Sequence, residues 1–551
     1  MAGSSALGRV RSHPMTVDAL PTSTPSAEGV APAGIERFLD ALDAAHGVEP
    51  HSLVILRHGR VVASGWWSPY TAERPHLAYS LSKSFTSTAA GCAVADGLLR
   101  LDDPVLAYFP ELDAEVTDPR SRNMLVRHVA AMSSGHVSDT WQQAMAADPE
   151  HPVRGFLLIP PDEEPGTVFA YNQSATYTLA TIVQRVTGQT LTQYLRARVL
   201  DPVGAGPVHW LQHPAGQDLG FSGLHATTDT VARLGELYLR GGLWQGRRLL
   251  AGAWVAEATR LHVANATPGD PAAALKPDWQ QGYGFQFWMS RHGFRGDGAY
   301  GQFCLVLPEQ DAVVAMTGQS PDMQAVLDAV WTELLPAFGP GPSGPGASGP
   351  GASGSDSKAD EALAERLASL SLPVAPRAAG PASEPDRWLD TTFRPSGGTR
   401  AEQPSLTGVR LSRDGGTWHV VVEETCGSGP EGAGRAEARR AGAGRAGAGR
   451  EEAAWELHAP LGQDWALASW GVSGQAGAVP GSAARAGSGA GAPVASSGGW
   501  TDRGELRADL VFLDTPHRLA LTCSLADASV HARWVTTPLH RGSLRDLHAP
   551  R

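Results

Sequence analysis

One stretch of low complexity divides this chain before any other feature is read. From Gly339 the sequence runs through Gly-Pro-Gly-Pro-Ser-Gly text and then alanine-rich polar text to about Ala382. Such a segment has too few apolar side chains to bury a core, so residues 339–385 are predicted to be a linker. A chain of 551 residues has room for a core on each side of it. The predicted domains are residues 29–338 and 386–551, preceded by a flexible tail over residues 1–28 that is rich in Ser, Pro and Thr.

The two parts differ in periodicity. Before the linker, Ile35, Phe38, Leu39 and Leu42 recur at helical spacing. Residues 52–56 and 61–67 are β-type runs around Arg57-His58-Gly59-Arg60, a predicted hairpin. Helical patterns fill the middle: the run after Ser80, then residues 124–132, 174–187 (closed by Gly188), 227–239 and 252–259. Residues 283–288 are predicted as a strand, 303–308 and 312–317 as a second hairpin, and 324–338 as an amphipathic helix. This order defines an α/β (α+β) class: an antiparallel sheet flanked by helices, with an all-α insertion. A functional cleft is expected where the insertion meets the sheet. After the linker, short strand-type runs at residues 408–412, 417–422, 453–457, 506–513, 518–523 and 530–535 predict a small C-terminal all-β domain. Two low-complexity inserts interrupt it, at residues 427–450 and about 474–499.

Composition excludes several roles. A formal net charge of -12 argues against a nucleic-acid or anionic-membrane partner, because both need a basic face. The arginine-rich insert at 427–450 has no aromatic residues to stack on bases and reads as a solvated loop. Cys92, Cys304, Cys426 and Cys523 are widely spaced with no C-x-x-C, as expected of buried thiols in a reducing compartment. No apolar leader or membrane-length run stands out, so a soluble cytoplasmic protein is expected. Without H-E-x-x-H or a His/Cys cluster, no metal or cofactor is expected. His225 and His292 are isolated and read as core or surface residues. The expected partner is a small-molecule substrate; the oligomeric state stays open.

Lysine use points to the chemistry. Only Lys83, Lys276 and Lys358 occur among 44 basic side chains. Where arginine is the default cation, a lysine is informative because it can lose its proton. Lys83 follows Ser80 by three residues at the start of a helical run, close enough for its amine to take the hydroxyl proton. This S-x-x-K unit also occurs as Ser355-Asp356-Ser357-Lys358, in Gly/Ser/Pro-rich sequence where no helix is expected to hold the pair.

Two further stretches add to Ser80. Pro165-Gly166-Thr167-Val168-Phe169-Ala170-Tyr171-Asn172-Gln173 places a tyrosine just before a helix. A phenol beside a lysine ammonium is expected to have its charged form favoured and to shuttle a proton. A core tyrosine with a bonded hydroxyl is the plainer reading. Gly296-Asp297-Gly298-Ala299 precedes a strand, and its glycines allow an edge whose Ala299 N–H joins that of Ser80 at an oxyanion. An ordinary glycine turn would use the same residues. Trp66, Trp67, Phe285, Phe287 and Trp288 read as core aromatics that an acyl pocket could borrow.

Taken together, these segments resemble the serine hydrolases related to class C β-lactamases and penicillin-binding proteins, a group that includes esterases, D-amino-acid peptidases and 6-aminohexanoate-oligomer hydrolases. The matching text is Ser80-Leu81-Ser82-Lys83, Tyr171-Asn172 within P-G-T-x-F-x-Y, and the glycine strand. Leu98-Leu99-Arg100-Leu101-Asp102-Asp103-Pro104, Met132-Ser133-Ser134-Gly135-His136, Arg185-Val186-Thr187-Gly188 and Thr227 to Arg233 match as well. The resemblance covers roughly residues 30–338. It implies an acyl-enzyme on Ser80, an acid/base pair of Lys83 and Tyr171, and an oxyanion hole from the amides of Ser80 and Ala299. Substrate contacts would come from Asn172, Gln173, Asp297 and Gly298.

The departures matter too. Where β-lactamases of this group carry K-T-G, this chain has Gly296-Asp297-Gly298, and an aspartate would repel the carboxylate of a β-lactam unless Arg295 compensates. Neutral esters or small amides are therefore the expected substrates. β-Lactam or D-amino-acid peptide hydrolysis and a non-hydrolytic sensing module are the alternatives. The motif amide is Asn172 or Gln173, depending on a one-residue shift. Ser138-Asp139-Thr140 resembles S-D-N but lacks the asparagine, and ranks below Tyr171. There is no G-x-S-x-G elbow. The composition of the C-terminal domain does not choose between capping the cleft and mediating assembly.

Overall fold

The structure, a computed structural model, describes residues 19–266, 271–339, 354–374, 378, 380–381, 384–425, 455–472, 491–539 and 542–550. Helix α1 (Pro32–Ala44) starts on a proline whose missing N–H is not needed in the first turn, and it buries Ile35, Phe38, Leu39 and Leu42. That stripe covers one face of a six-stranded sheet. Strands β1 (Pro50–Arg57) and β2 (Arg60–Trp66) form the expected first hairpin. Strands β3 (Trp288–Met289), β4 (Phe294–Gly298), β5 (Gln302–Leu307) and β6 (Ala312–Gly318) complete the sheet in the order β2-β1-β6-β5-β4-β3, every pair antiparallel.

Side chains alternate across this sheet, so β1 feeds two cores at once. Leu53 and Ile55 pack with α1 and with Phe303, Leu305 and Val314. Val54 and Leu56 join the other face with helices α2 (Ser82–Ala95), α3 (Gln173–Thr187) and α4 (Thr228–Leu239). The middle of the chain is mainly helical, with two small sheets that its composition did not announce: His76–Leu77 with Leu224–Ala226 and Val208–Trp210, and Leu243–Trp244 with Arg247–Arg248.

Several expectations need correction. Residues 283–287 form no strand: Phe285 N–H bonds to Ala258 O, Gly284 N–H to Phe287 O, and Tyr283 makes only isolated bridges, so the backbone is satisfied without a ladder. The last helix of the domain is α-helical only over Met323–Ala329, then widens and tightens through Ala337. The predicted tail is shorter, since Ser23 N–H bonds to Val61 O at 2.9 Å and Glu28 holds His58 at 2.8 Å; residues 1–18 lie outside the described residues. The predicted linker contains helix α5 (Gly354–Ala368), whose Leu363 and Leu367 are buried against the α1 face of the sheet. Arg366 pairs with Asp40 at 2.7 Å.

The C-terminal region is sheet-rich, as expected, and has its own core of Trp388, Phe393, Val409, Val420, Leu510, Leu519 and neighbours. It contains a four-stranded and a six-stranded sheet, with short helices at Pro385–Asp390 and Gly397–Glu402. The second predicted insert is too long, because Val494–Trp500 is a buried strand; residues 427–450 lie outside the described residues. The region docks on the first domain beside the Ser80 segment. Leu77 N–H bonds to Asp514 O at 2.9 Å, and Arg518 pairs with Glu49 at 2.7 Å. Cys92, Cys304 and Cys523 are buried and free; Cys426 lies outside the described residues. Among the described residues no helix is long and apolar enough to cross a membrane.

Candidate active site

Ser80 sits in a single 3-10 turn, Tyr79–Leu81, that runs directly into α2. Helix α2 is built almost wholly of Ser, Thr, Ala and Gly and is buried from Ser82 through Ala93. Small side chains let neighbouring elements approach on every side: a Cβ at Gly91 would lie 2.5 Å from the Trp254 ring. The helix hydroxyls bond to backbone carbonyls, Thr88 to Ser84 O and Thr86 to Gly220 O, each at 2.8 Å. Lys83 is therefore carried into the interior, where it is 1% exposed.

The surroundings of Lys83 define its proton state. Its Nζ lies 2.7 Å from Gln173 Oε1, 2.8 Å from the Phe221 carbonyl oxygen and 3.1 Å from Ser80 Oγ. A neutral amine has two N–H bonds and one lone pair. Gln173 and Phe221 are pure acceptors at those positions and take the two hydrogens, which turns the lone pair toward the Ser80 hydroxyl. Burial drives the Lys83 pKa from the usual lysine value down to about 7, opposed by the charges of Asp139 and Asp297. Both geometry and desolvation favour an amine able to accept a proton.

Tyr171 approaches the same oxygen. Its phenol lies close enough to the Ser80 side chain to be influenced by it, its ring stacks on Trp288 at 5.2 Å, and Lys83 Nζ lies 4.7 Å from its ring centroid. The expectation that its charged form is favoured is overturned. Burial raises its pKa, Asp297 raises it further, and the Ser80 side chain only partly offsets them. Burial also drives Lys83 itself toward the neutral form, which weakens any ammonium that could stabilise the phenolate. Tyr171 stands as a neutral proton donor.

The one-residue ambiguity between Asn172 and Gln173 resolves at helix α3. Asn172 is fully buried and caps the helix: its Oδ1 accepts from Ser174 N–H at 3.0 Å and from the amide and hydroxyl of Thr140 at 3.2 and 3.1 Å. The expected substrate contact by Asn172 is thus corrected to a capping role. Gln173, the next residue, supplies the amide that faces Lys83. The Ser138-Asp139-Thr140 segment braces this motif from outside, with Asp139 Oδ1 accepting from Gln173 N–H at 3.0 Å.

Strand β4 closes the opposite side. A Cβ at Gly296 would lie 2.5 Å from Leu81 and Ser84, and one at Gly298 would lie 2.1 Å from Ala78 O and 3.1 Å from Ser80 N. Only glycine permits β4 to lie so tightly against the nucleophile turn. Gly298 therefore serves backbone approach, and Ala299 begins the β4–β5 turn beside Ser80. That turn is closed by Gly301 N–H to Gly298 O at 3.3 Å. It does not use the Ala299 N–H, while Gln302 Nε2 fixes the Ala299 carbonyl at 3.0 Å. Asp297 is buried and paired with Arg295 Nε at 3.0 Å. Arg295 is itself fully buried, and its Nη1 donates to Asp278 O, Met289 O and Ser290 Oγ. It neutralises Asp297 from behind and is not presented to a ligand.

Sequence reasoning missed the Phe221 carbonyl, which is main chain and leaves no side-chain signal, and the stacking of Trp288 on Tyr171. Of the aromatics considered earlier, Trp288 reaches the site; Phe285, Phe287 and Trp67 are core. His225 is a buried core histidine, held neutral by desolvation with its pKa pushed down to about 3. The second S-x-x-K does lie on a helix, α5, contrary to expectation, yet its Lys358 is exposed.

The family model described as Beta-lactamase matches residues 35–334. A 6-aminohexanoate-dimer hydrolase of Paenarthrobacter ureafaciens is 26% identical over 291 residues, covering 49% of this chain and 73% of that protein. A lovastatin esterase of Penicillium rubens is 30% identical over 168 residues, covering 26% of this chain and 42% of the esterase. Among solved structures, a Bacillus anthracis protein assigned as a 6-aminohexanoate-dimer hydrolase aligns with a TM-score of 0.47 at 18% identity, over 58% of this chain and 86% of its own.

Proposed function

The chain belongs to the beta-lactamase family, and from that premise we propose that it is a serine hydrolase that turns over carboxylic esters or small amides through an acyl-enzyme on Ser80. The observation that carries this reading is the placement of a buried Lys83 amine 3.1 Å from Ser80 Oγ, with its two other partners both acceptors. Lys83 takes the proton as Ser80 Oγ attacks the carbonyl carbon. The N–H groups of Ser80 and Ala299 bind the oxygen as it becomes an anion. Collapse of this intermediate breaks the bond to the leaving alcohol or amine, which receives the Tyr171 proton. The Lys83 ammonium then gives its proton to the Tyr171 phenolate, so that both groups return to their neutral forms. Water repeats the sequence on the acyl-Ser80 ester and releases the acid.

Asp297 narrows the substrate. A substrate carboxylate placed at β4 would meet the Asp297 carboxyl group and find no exposed cation, because Arg295 is fully buried behind it. Neutral acyl groups are the better fit, with Trp288 and Tyr171 offering an apolar wall. The names of the relatives, one an esterase and one a hydrolase of an amide dimer, support the same range. The direct experiment is hydrolysis of a short-chain p-nitrophenyl ester by the wild type and by Ser80→Ala, with mass spectrometry after a fluorophosphonate probe. Loss of turnover in the variant and an adduct on Ser80 are expected; equal rates in both proteins would end the proposal.

A further inference from the structure

We infer that the C-terminal domain is a working part of this site: through His517 and the strand exit at Thr536–Thr537 it holds Tyr79 and Tyr300, and with them both donors of the oxyanion hole. The inference rests on the acyl-transfer reading of Ser80. Tyr79 immediately precedes Ser80, and Tyr300 immediately follows Ala299. Both are non-glycine residues with left-handed backbone, φ +46° and +68°. A bulky residue occupies that region at a cost, and it persists only where surrounding structure over-determines it. Two such residues, each beside one oxyanion donor, call for an explanation.

The C-terminal domain supplies it. The rings of Tyr79 and Tyr300 meet edge to face at 5.7 Å, and His517 lies against both, at 5.8 and 5.5 Å. The Tyr79 hydroxyl donates to His517 Nε2 at 2.5 Å. This polarity follows from the other ring nitrogen, since Nδ1–H faces the Thr536 carbonyl at 2.9 Å and leaves Nε2 as an acceptor. Burial keeps the imidazole neutral, with its pKa pushed down to about 3. The Tyr300 hydroxyl donates to Thr537 O at 2.7 Å, and Gln319 Nε2, just past β6, donates to Thr536 Oγ1 at 2.8 Å. Tyr79 carries the carbonyl half of the peptide whose N–H belongs to Ser80, so its backbone angle aims that donor. Tyr300 fixes the far side of the turn that begins at Ala299. Neither tyrosine nor His517 is assigned a contact with substrate; they are positioning residues, and the two halves of the oxyanion hole are joined through a domain more than 200 residues away in the chain.

The test uses the full chain. Variants Tyr79→Phe, Tyr300→Phe, His517→Ala and His517→Gln are compared with wild type for short-chain p-nitrophenyl ester kinetics, fluorophosphonate labelling rate at Ser80 and thermal melting. His517→Ala is expected to lower kcat by about 10- to 100-fold, as small misplacement of reacting groups does, with KM changed by less than about twofold. His517→Gln, whose amide oxygen can accept from Tyr79, should recover part of the loss. A lesion that merely loosened the fold would not show that kcat-against-KM split or the partial rescue. If His517→Ala does not fold, Tyr79→Phe and Tyr300→Phe decide, each removing one hydroxyl. Wild-type kcat and labelling in cooperatively melting variants would overturn the inference while leaving the acyl-enzyme intact; an unlabelled Ser80 in the wild type would instead overturn the acyl-enzyme reading itself.

Discussion

The chain spells S-x-x-K twice, and both copies lie on helices. Ser80-Leu81-Ser82-Lys83 enters α2, and Ser355-Asp356-Ser357-Lys358 opens α5. Spacing and secondary structure are shared, yet Lys83 is 1% exposed with three fixed partners while Lys358 is exposed. Helix α5 lies along the outside of α1 and β2, and α2 is enclosed by the domain. The difference teaches that the motif holds no chemistry of its own. A lysine becomes a base when burial removes the water that stabilises its charge and acceptors orient what remains.

Breaking the comparison at the nitrogen gives the largest expected effect. Lys83→Arg replaces an amine that can be neutral by a guanidinium that cannot, and kcat/KM should fall on the order of 10³-fold, the scale of a lost general base. Lys358→Arg should leave the rate within about twofold, as surface changes do. Ester hydrolysis by the two variants measures both. Retained activity in Lys83→Arg would remove Lys83 as the base.

The pairing of Ser80 with Lys83, the Tyr171 stretch and the β4 edge were legible because each is a local run of residue types with its own spacing. So were both hairpins and the sheet-rich C-terminal region, where β-branched and aromatic runs alternate with turn residues. What stayed hidden was long-range. The Phe221 carbonyl has no side-chain signature. The cap of α3 by Asn172 is local, through Ser174 N–H, but its tie to Thr140, 32 residues away, is not. The Tyr171 proton state depended on desolvation and on Asp297, which local text cannot weigh. Helix α5 was hidden by the Gly/Pro text before it, although Leu363 and Leu367 stand at helical spacing and find a buried face on the first domain. The docking of the C-terminal domain left no trace in composition, because it runs through single residues such as Asp514 and His517.

A pH profile sharpens the comparison at intermediate scale. With the Lys83 pKa at about 7, the amine form is lost as pH falls below that value. The rate should therefore drop about tenfold per pH unit on the acid side and level off above pH 7. Tyr171 adds no fall on the alkaline side up to the ordinary tyrosine range, because burial and Asp297 raise its pKa and keep it a phenol. The profile of kcat/KM for a neutral ester, whose own ionisation cannot intrude, is the measurement. A rate that declines as pH rises through 7 would mean that Lys83 acts as the ammonium.

The smallest expected effect is on stability, and its sign opposes that on activity. The Lys83 pKa is depressed in the folded chain and ordinary in the unfolded one, so between about pH 7 and the usual lysine value the unfolded state binds the extra proton. Stability from this group then rises with pH across that window, and the cost of burying it is greatest below pH 7. Lys83→Met removes the charge while keeping the length of the side chain. It also leaves Gln173 Oε1 and the Phe221 carbonyl without their donor, which offsets part of the gain. The net expectation is a melting temperature raised by roughly 1–2 °C at pH 6, the shift that ~1 kcal/mol gives in a domain of about 300 residues, shrinking as pH approaches 10. Lys358→Met, at an exposed site, should move the midpoint at neither pH. Thermal melts of the two variants at both pH values make the comparison, and a Lys83→Met chain that melts below wild type at pH 6 would show that the lost hydrogen bonds outweigh the burial of the amine.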